Sequence, residues 1–438
     1  MTTGRGGRRL TATVTDLGVV QQRAYLIGVT TSSAKAEAAQ RSLAELGRLT
    51  TTAGSEPVFE ELLTRSELEP ALLIGKGQAQ RAVELSNTLD IDVVVFDNGL
   101  SPAQQRNLQA MFECDVVDRQ AVILDIFAQH ASSRAGMLQV ELALLQYHLP
   151  RLKGKGIQLS RQAAGIGTRG PGETKLETDR RRILERISRL KHELKEVAAT
   201  RQTQRKARVR SELPVVALVG YTNAGKSTLL NRITDSDVLV EDQLFSTLDS
   251  SVRRTDLPGG TPSLFSDTVG FIRDLPHQLV EAFQSTLDEV HNADLLLHVV
   301  DGSDPDADSQ IATVRSVLGE IGAEQVPELF VINKTDQADA ATIGRLVSIH
   351  DGVAISAHTG EGLPELLEAI ERTLTATAHR VLLEIPFDRG DLLAQLHRNG
   401  SVLEESHSEA GTLVDARLRG DTAQQFAPWL VEKRDRRA

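Results

Sequence analysis

Residues 214–233 read PVVALVGYTNAGKSTLLNRI. The apolar run Val215 to Val219 is a buried strand, Gly220 to Gly225 is a short loop, and a helix opens at Lys226-Ser227. G-x-x-x-x-G-K-S in a strand, loop, helix setting is a phosphate-binding loop. Its glycines let backbone N–H groups curl around phosphates, Lys226 reaches the terminal phosphates, and the Ser227 hydroxyl suits Mg²⁺.

The base is chosen further along the chain. ELFVINKTD is an apolar strand ending in Asn333-Lys334-Thr335-Asp336. A carboxylate at Asp336 can accept two hydrogen bonds from the N1–H and N2–H₂ edge of guanine, which adenine cannot offer. Asn333 would bind N7 or brace neighbouring loops, and Lys334 would pack along the base. In VAISAHTG, Ser356-Ala357 would set the Ala357 N–H against guanine O6. SLFSDTVGF supplies D-x-x-G, with Asp267 for Mg²⁺ and the Gly270 amide for the γ-phosphate; LFSTLD supplies Thr247 as a second Mg²⁺ ligand, with Phe245 beside it as a nucleotide contact. Gly220, Tyr221, Thr222, Asn223, Ala224, Gly225, Lys226, Ser227 and Thr228 line the phosphates. The expected ligands are GTP or GDP with Mg²⁺, and the expected catalytic groups are Lys226, Asn223, Thr247 and Gly270.

Two positions set the mechanism. Phe271 follows D-x-x-G, where a glutamine often orients the attacking water, and a phenyl ring cannot do that. It packs in the loop, and water positioning must come from elsewhere. Asn223, paired with a hydrophobic residue in place of glutamine, is similar to GTPases that hold a K⁺ where others use an arginine finger, so K⁺ is a further expected cofactor.

Ahead of the phosphate loop, Leu138, Leu142, Leu145 and Leu149 repeat at spacings of four, three and four, and Pro150 stops the helix. Ile183, Ile187, Leu190, Leu194 and Val197 repeat likewise. Two helices with facing seams predict a hairpin whose tip is RQAAGIGTRGPGE, residues 161–173. The glycines at 165, 167 and 170 match G-x-G-x-x-G, but a polar stretch precedes them and Pro171 follows, so a dinucleotide loop is excluded. Residues 151–210 hold 18 lysines and arginines against six acidic residues, in a chain of net charge −11. A basic island on an acidic protein points to a polyanion.

At 438 residues, 40% hydrophobic and 25% charged, the composition is that of a globular chain with several domains. A single cysteine, Cys114, excludes an internal disulfide framework. With no apolar run near the ~18–20 residues of a membrane span and no signal-peptide core, the expectation is a cytoplasmic protein. AYLIGVTT, ALLIGKG and DVVVFD, each followed by a helical stretch, predict a small α/β domain. RVLLEIP and GTLVDARLRG predict two strands around a helix at the C-terminal end. His291 and His298 read as core or edge histidines, and residues 301–309 as an exposed acidic loop.

DRQAVILDIFAQHA, LQVELALLQYHLPRL and GIGTRGPGETKLETDRRRI, taken with the nucleotide motifs, resemble the HflX family of ribosome-associated GTPases over about residues 24–430. The chain departs from the family pattern at Ala164 and Gly99. The resemblance implies an α/β chain with a flexible tail at 1–22, an α/β domain at 23–132, a hairpin at 133–212, a P-loop GTPase domain at 213–377 and a small α/β unit at 378–438. It implies a monomer that binds the large ribosomal subunit and splits or rescues stalled or idle ribosomes under stress. Arg161, Gly165, Gly167, Arg169 and Gly170 would then touch ribosomal RNA; neither DNA nor a membrane is an expected partner. Two alternatives stand beside it: a K⁺-dependent GTPase in RNA modification or ribosome assembly, and a switch that recruits only proteins.

Overall fold

The computed structural model describes residues 21–154, 171–209, 213–234, 244–245, 252–273, 289–376, 379–399, 401–408, 410–418 and 426–431. Contacts divide the described residues into two units, one running to Val197 together with Leu244 and Phe245, the other holding the remainder.

The first unit begins with a four-stranded parallel sheet: β1 (Gln22–Thr30), β2 (Ser55–Thr64), β3 (Val93–Phe96) and β4 (Asp115–Asp118), ordered β2-β1-β3-β4. Helices α1 (Ala36–Thr52), α2 (Lys76–Thr88), α3 (Pro102–Phe112) and α4 (Arg119–His130) connect or follow the strands. All four residues of β3 are buried, as a strand covered on both faces requires. Helix α3 starts where Ser101 accepts the Gln104 N–H, the Gln104 side chain answers the Ser101 N–H, and Pro102 presets the first turn. The edge strand is a correction: ALLIGKG carries no strand, and its place is taken by SEPVFEELLT, paired along β1 from Gln22 to Thr30.

Arg119 is buried where α4 begins and pairs with Glu45 of α1 and with Asp97 at 2.8 Å. Asp118 accepts from the Leu100 N–H at 3.1 Å, the Tyr147 hydroxyl at 2.9 Å and Arg151 at 3.1 Å. That carboxylate fastens α5 (Arg134–His148) to the end of β4. Helix α6 (Pro171–Val209) returns along α5, with Leu138, Leu142, Ile187 and Leu190 closing a small core flanked by Leu145, Leu149, Ile183, Leu194 and Val197. Each leucine so buried contributes about 1.5–3 kcal/mol. Across the seam Arg186 forks onto Glu141 at 2.7 and 2.6 Å.

In the second unit, β5 (Val215–Gly220), β6 (Val252–Asp256), β7 (Pro262–Asp267), β8 (Leu295–Asp301), β9 (Glu328–Asn333) and β10 (Val353–Ala354) form a sheet ordered β10-β9-β8-β5-β7-β6. It is parallel except for β6. Its helices are α7 (Lys226–Thr234), α8 (Ala307–Glu320), α9 (Ala340–His350) and α10 (Leu363–Ala376). The remaining elements are β11 (His379–Pro386), α11 (Gly390–Asn399), β12 (Ser401–His407) and β13 (Gly411–Leu418), an antiparallel sheet ordered β11-β13-β12. The two-strand expectation for this end missed β12, whose SVLEESH lacks apolar alternation past Leu403. Leu383, Ile385, Val414 and Ala416 pack with Leu392, Leu396 and Phe426 into its core.

Candidate nucleotide-binding site

Parallel strands deliver their ends to one edge, and there the sequence motifs meet. Strand β5 is central, with β7 and β8 as neighbours, and Leu218 of β5 lies in register with Asp267 at the end of β7. Asp301 and Asn333 are likewise in register at the ends of β8 and β9. A crevice outside the carboxyl ends of such strands is where ligands bind in open α/β sheets.

The loop from Gly220 to Gly225 is made possible by its glycines. Gly220 has φ 150°, and a Cβ there would lie 2.2 Å from the Val299 carbonyl oxygen. Gly225 has φ 93°, with Asn333 Nδ2 2.2 Å from where a Cβ would be. Neither position tolerates a side chain. Asn223 also takes a left-handed conformation, φ 60°, and is exposed. Thr222 and Ala224 are buried, and Thr228 is half-buried on α7.

Lys226 lies inside the protein, its ammonium donating to the Gly220 and Tyr221 carbonyls at 3.1 and 2.8 Å. Burial draws its pKa down from 10.5 to about 8, against the opposing pull of Asp267. Asp267 is buried, and Ser227 Oγ donates to its Oδ2 at 2.7 Å. A hydroxyl and a carboxylate side by side are hard oxygen donors of the kind Mg²⁺ takes. Gly270 rests on the loop, where a Cβ would come within 2.9 Å of Thr222 Cγ2 and 3.1 Å of Lys226 Nζ.

The base-reading motif is braced from several sides. Asn333 donates from Nδ2 to the Ala224 carbonyl at 2.8 Å, and its Oδ1 accepts the Ala357 N–H at 2.9 Å. Of the two roles left open for Asn333, bracing is the one the geometry shows. The Ala357 N–H, expected at guanine O6, is bonded to Asn333 Oδ1 in this structure. Asp336 is exposed and accepts from Ser356 Oγ at 2.7 Å, a bond that holds its carboxyl below the usual range. Lys334, at φ 65°, pairs with Asp301 at 2.7 Å.

The Phe245 ring is buried edge-on against Phe127 of α4, centroids 4.6 Å apart, within the first unit. Thr247, and Arg161, Gly165, Gly167, Arg169 and Gly170, lie outside the described residues.

Phe271 is 2% exposed, so its ring packs and holds no water. His298 is buried, with Nδ1 2.6 Å from Glu328 Oε1 and its ring stacked on Phe330. Several contacts were not legible in the motifs: Arg232 of α7 donating to the Ala357 carbonyl at 3.2 Å, Asp301 on Lys334, and the Tyr221 hydroxyl accepting the Arg273 N–H at 2.9 Å. No spacing rule marks them, because each joins residues far apart in the chain.

With that geometry in hand, three family models match the chain: GTP-binding GTPase N-terminal over residues 40–128, GTP-binding GTPase Middle Region over 130–208, and 50S ribosome-binding GTPase over 215–334. Among curated relatives, GTPase HflX of Lacrimispora saccharolytica is 45% identical over 403 residues, covering 92% of this chain and 94% of its own. The chain belongs to the HflX family of GTPases. GTPase HflX of Caldanaerobacter subterraneus is 44% identical, covering 94% of both chains, and that of Escherichia coli 42%, covering 85% and 88%. Among solved structures, a GTP-binding protein from Sulfolobus solfataricus in complex with GDP matches at 24% identity and TM-score 0.43, covering 81% of this chain and 99% of its own. By its family this chain is a P-loop enzyme that binds and hydrolyses GTP. No helix among the described residues is long and apolar enough to cross a membrane.

Proposed function

We propose that this GTPase acts on the large ribosomal subunit, engaging it in the GTP-bound form and separating stalled or idle ribosomes. The observation that carries the reading is the pairing of a GTPase segment matched by a 50S ribosome-binding model with a basic stretch, residues 151–210, of 18 cationic residues against six acidic ones. RNA is the polyanion a ribosome presents, and glycines, which lack a side chain, beside Arg161 and Arg169 suit close approach to its phosphates and bases.

In the nucleotide site, Lys226 bears on the β- and γ-phosphates, the Gly270 N–H on the γ-phosphate, and Asp336 on the guanine edge. Ser227 and Asp267, with Thr247, would hold Mg²⁺, which neutralises charge that builds on the phosphate oxygens when bound. Phe271 offers no group to orient water, so basal hydrolysis is slow and the ribosome stimulates it. Asn223 is the exposed loop residue from which K⁺ would be held near the β–γ bridge; equal hydrolysis rates in K⁺ and Na⁺ would remove that role.

Replacing Arg161 and Arg169 together with alanine tests the ribosomal reading. Nucleotide affinity and basal hydrolysis should stay as they are, while ribosome binding weakens and its salt dependence falls by up to about 0.7–0.9 per lost phosphate contact. Normal ribosome binding with lost nucleotide affinity would place the tip in the nucleotide site instead.

A further inference from the structure

The first turn of α7 carries Lys226 and Ser227, and its last turn carries Arg232, about 9 Å further along at a rise of 1.5 Å per residue. Arg232 donates from Nε to the Ala357 carbonyl at 3.2 Å and from Nη2 to the His358 carbonyl. A guanidinium presents its donors in one rigid plane, so a single side chain can grip two successive carbonyls; an ammonium on a flexible stem cannot reproduce that fork. Arg232 is exposed, so its replacement leaves the core of the sheet intact.

The grip is passed on through the backbone. The His358 carbonyl belongs to the same peptide unit as the Thr359 N–H, which donates to Ser356 Oγ at 3.1 Å. Ser356 Oγ donates in turn to Asp336 Oδ1 at 2.7 Å. A peptide unit is planar and stiff, so fixing its oxygen fixes the direction of its N–H. The guanidinium, the peptide unit, the hydroxyl and the carboxylate thus form one line of hydrogen bonds with a cation at one end and an anion at the other, in which each bond polarises the next. Ser356 is fully buried, and Ala357 is tied from its other side by its N–H to Asn333 Oδ1 at 2.9 Å.

We propose that Arg232 is a positioning residue for base recognition: through the Ala357 and His358 carbonyls it fixes the loop of Ser356, and through Ser356 it aims the Asp336 carboxylate at the guanine edge. This role rests on the assignment of Asp336 to that edge. Helix α7 then carries phosphate-binding groups at its start and steadies the base-reading carboxylate from its end. Of the two bonds that Asp336 can accept, the one from the exocyclic N2 amine has no counterpart in an inosine nucleotide. The preference for GDP over IDP therefore reports how well the carboxylate is aimed, since a site built to bond a group rejects the analogue that lacks it.

The test is a titration of the full chain and of its Arg232→Ala and Arg232→Lys variants with labelled GDP and labelled IDP, beside steady-state GTP hydrolysis. Arg232→Ala should weaken GDP by about threefold to tenfold, the scale of a lost hydrogen bond, and lower the preference for GDP over IDP. In hydrolysis the loss should fall on KM rather than on kcat. Arg232→Lys, which keeps the charge and gives up the fork, should lie between the parent chain and Arg232→Ala. Because Arg232 acts through Ser356, adding Arg232→Ala to Ser356→Ala should cost little beyond Ser356→Ala alone. Unchanged GDP affinity in Arg232→Ala, or a parallel loss of GDP and IDP, overturns the role of Arg232. Asp336→Asn separates the two claims: if it leaves the preference for GDP over IDP as it was, the base assignment itself fails; if it removes the preference and Arg232→Ala does not lower it, only the role of Arg232 fails.

Discussion

At Lys226, position and protonation are linked. The ammonium is held by two loop carbonyls in a place that water does not reach, and burial lowers its pKa from 10.5 to about 8. The folded value lies below the unfolded one, so between these pH values the native chain carries fewer protons than the unfolded chain. This group therefore adds to native stability as pH rises through that window. Nucleotide binding has the opposite sign, because a phosphate anion restores the full charge of the ammonium. At pH 8 binding should take up about half a proton at this lysine, and affinity should fall as pH rises further. Calorimetry in two buffers of different ionisation enthalpy reads the uptake directly, and no difference in uptake between pH 7 and pH 8 would contradict it. Next to Lys226, the sequence made the residue types and their order legible, but not the hydrogen bonds: Asn333 as a brace and Ala357 as its donor depend on how β9 and β10 are placed beside the loop.

At the level of elements, what could be read depended on how completely each one is buried. Strand β5 is apolar and buried from Val216 on, the pattern of a parallel strand whose two faces are covered. The seam of α5 and α6 was equally legible, since Leu138, Leu142, Ile187 and Leu190 repeat with the period of the contact they make. Strand β2 was not: Glu56, Glu60 and Glu61 with Pro57 give no alternating apolar pattern, and an edge strand that pairs on one side tolerates them. LLIG misled in the opposite direction, as an apolar run whose Leu72, Leu73 and Ile74 are buried without being a strand. Strand β10 has two residues, too few to show any period, yet it places Ser356 on Asp336. Irregular segments buried by tertiary contact carry no periodic signal.

For the whole molecule, we propose that a GTPase core controls how a basic hairpin engages the large ribosomal subunit. Net charge −11 on the chain disfavours indiscriminate binding to RNA, while the basic stretch at residues 151–210 supplies a local attraction that salt should weaken. The most direct measurement is co-sedimentation of the full chain with purified large ribosomal subunits, in a non-hydrolysable GTP analogue, in GDP and without nucleotide. The chain should pellet with subunits in the analogue, much less in GDP, and the difference should be lost in Lys226→Ala. Equal pelleting in all three conditions, or none in any, would contradict it.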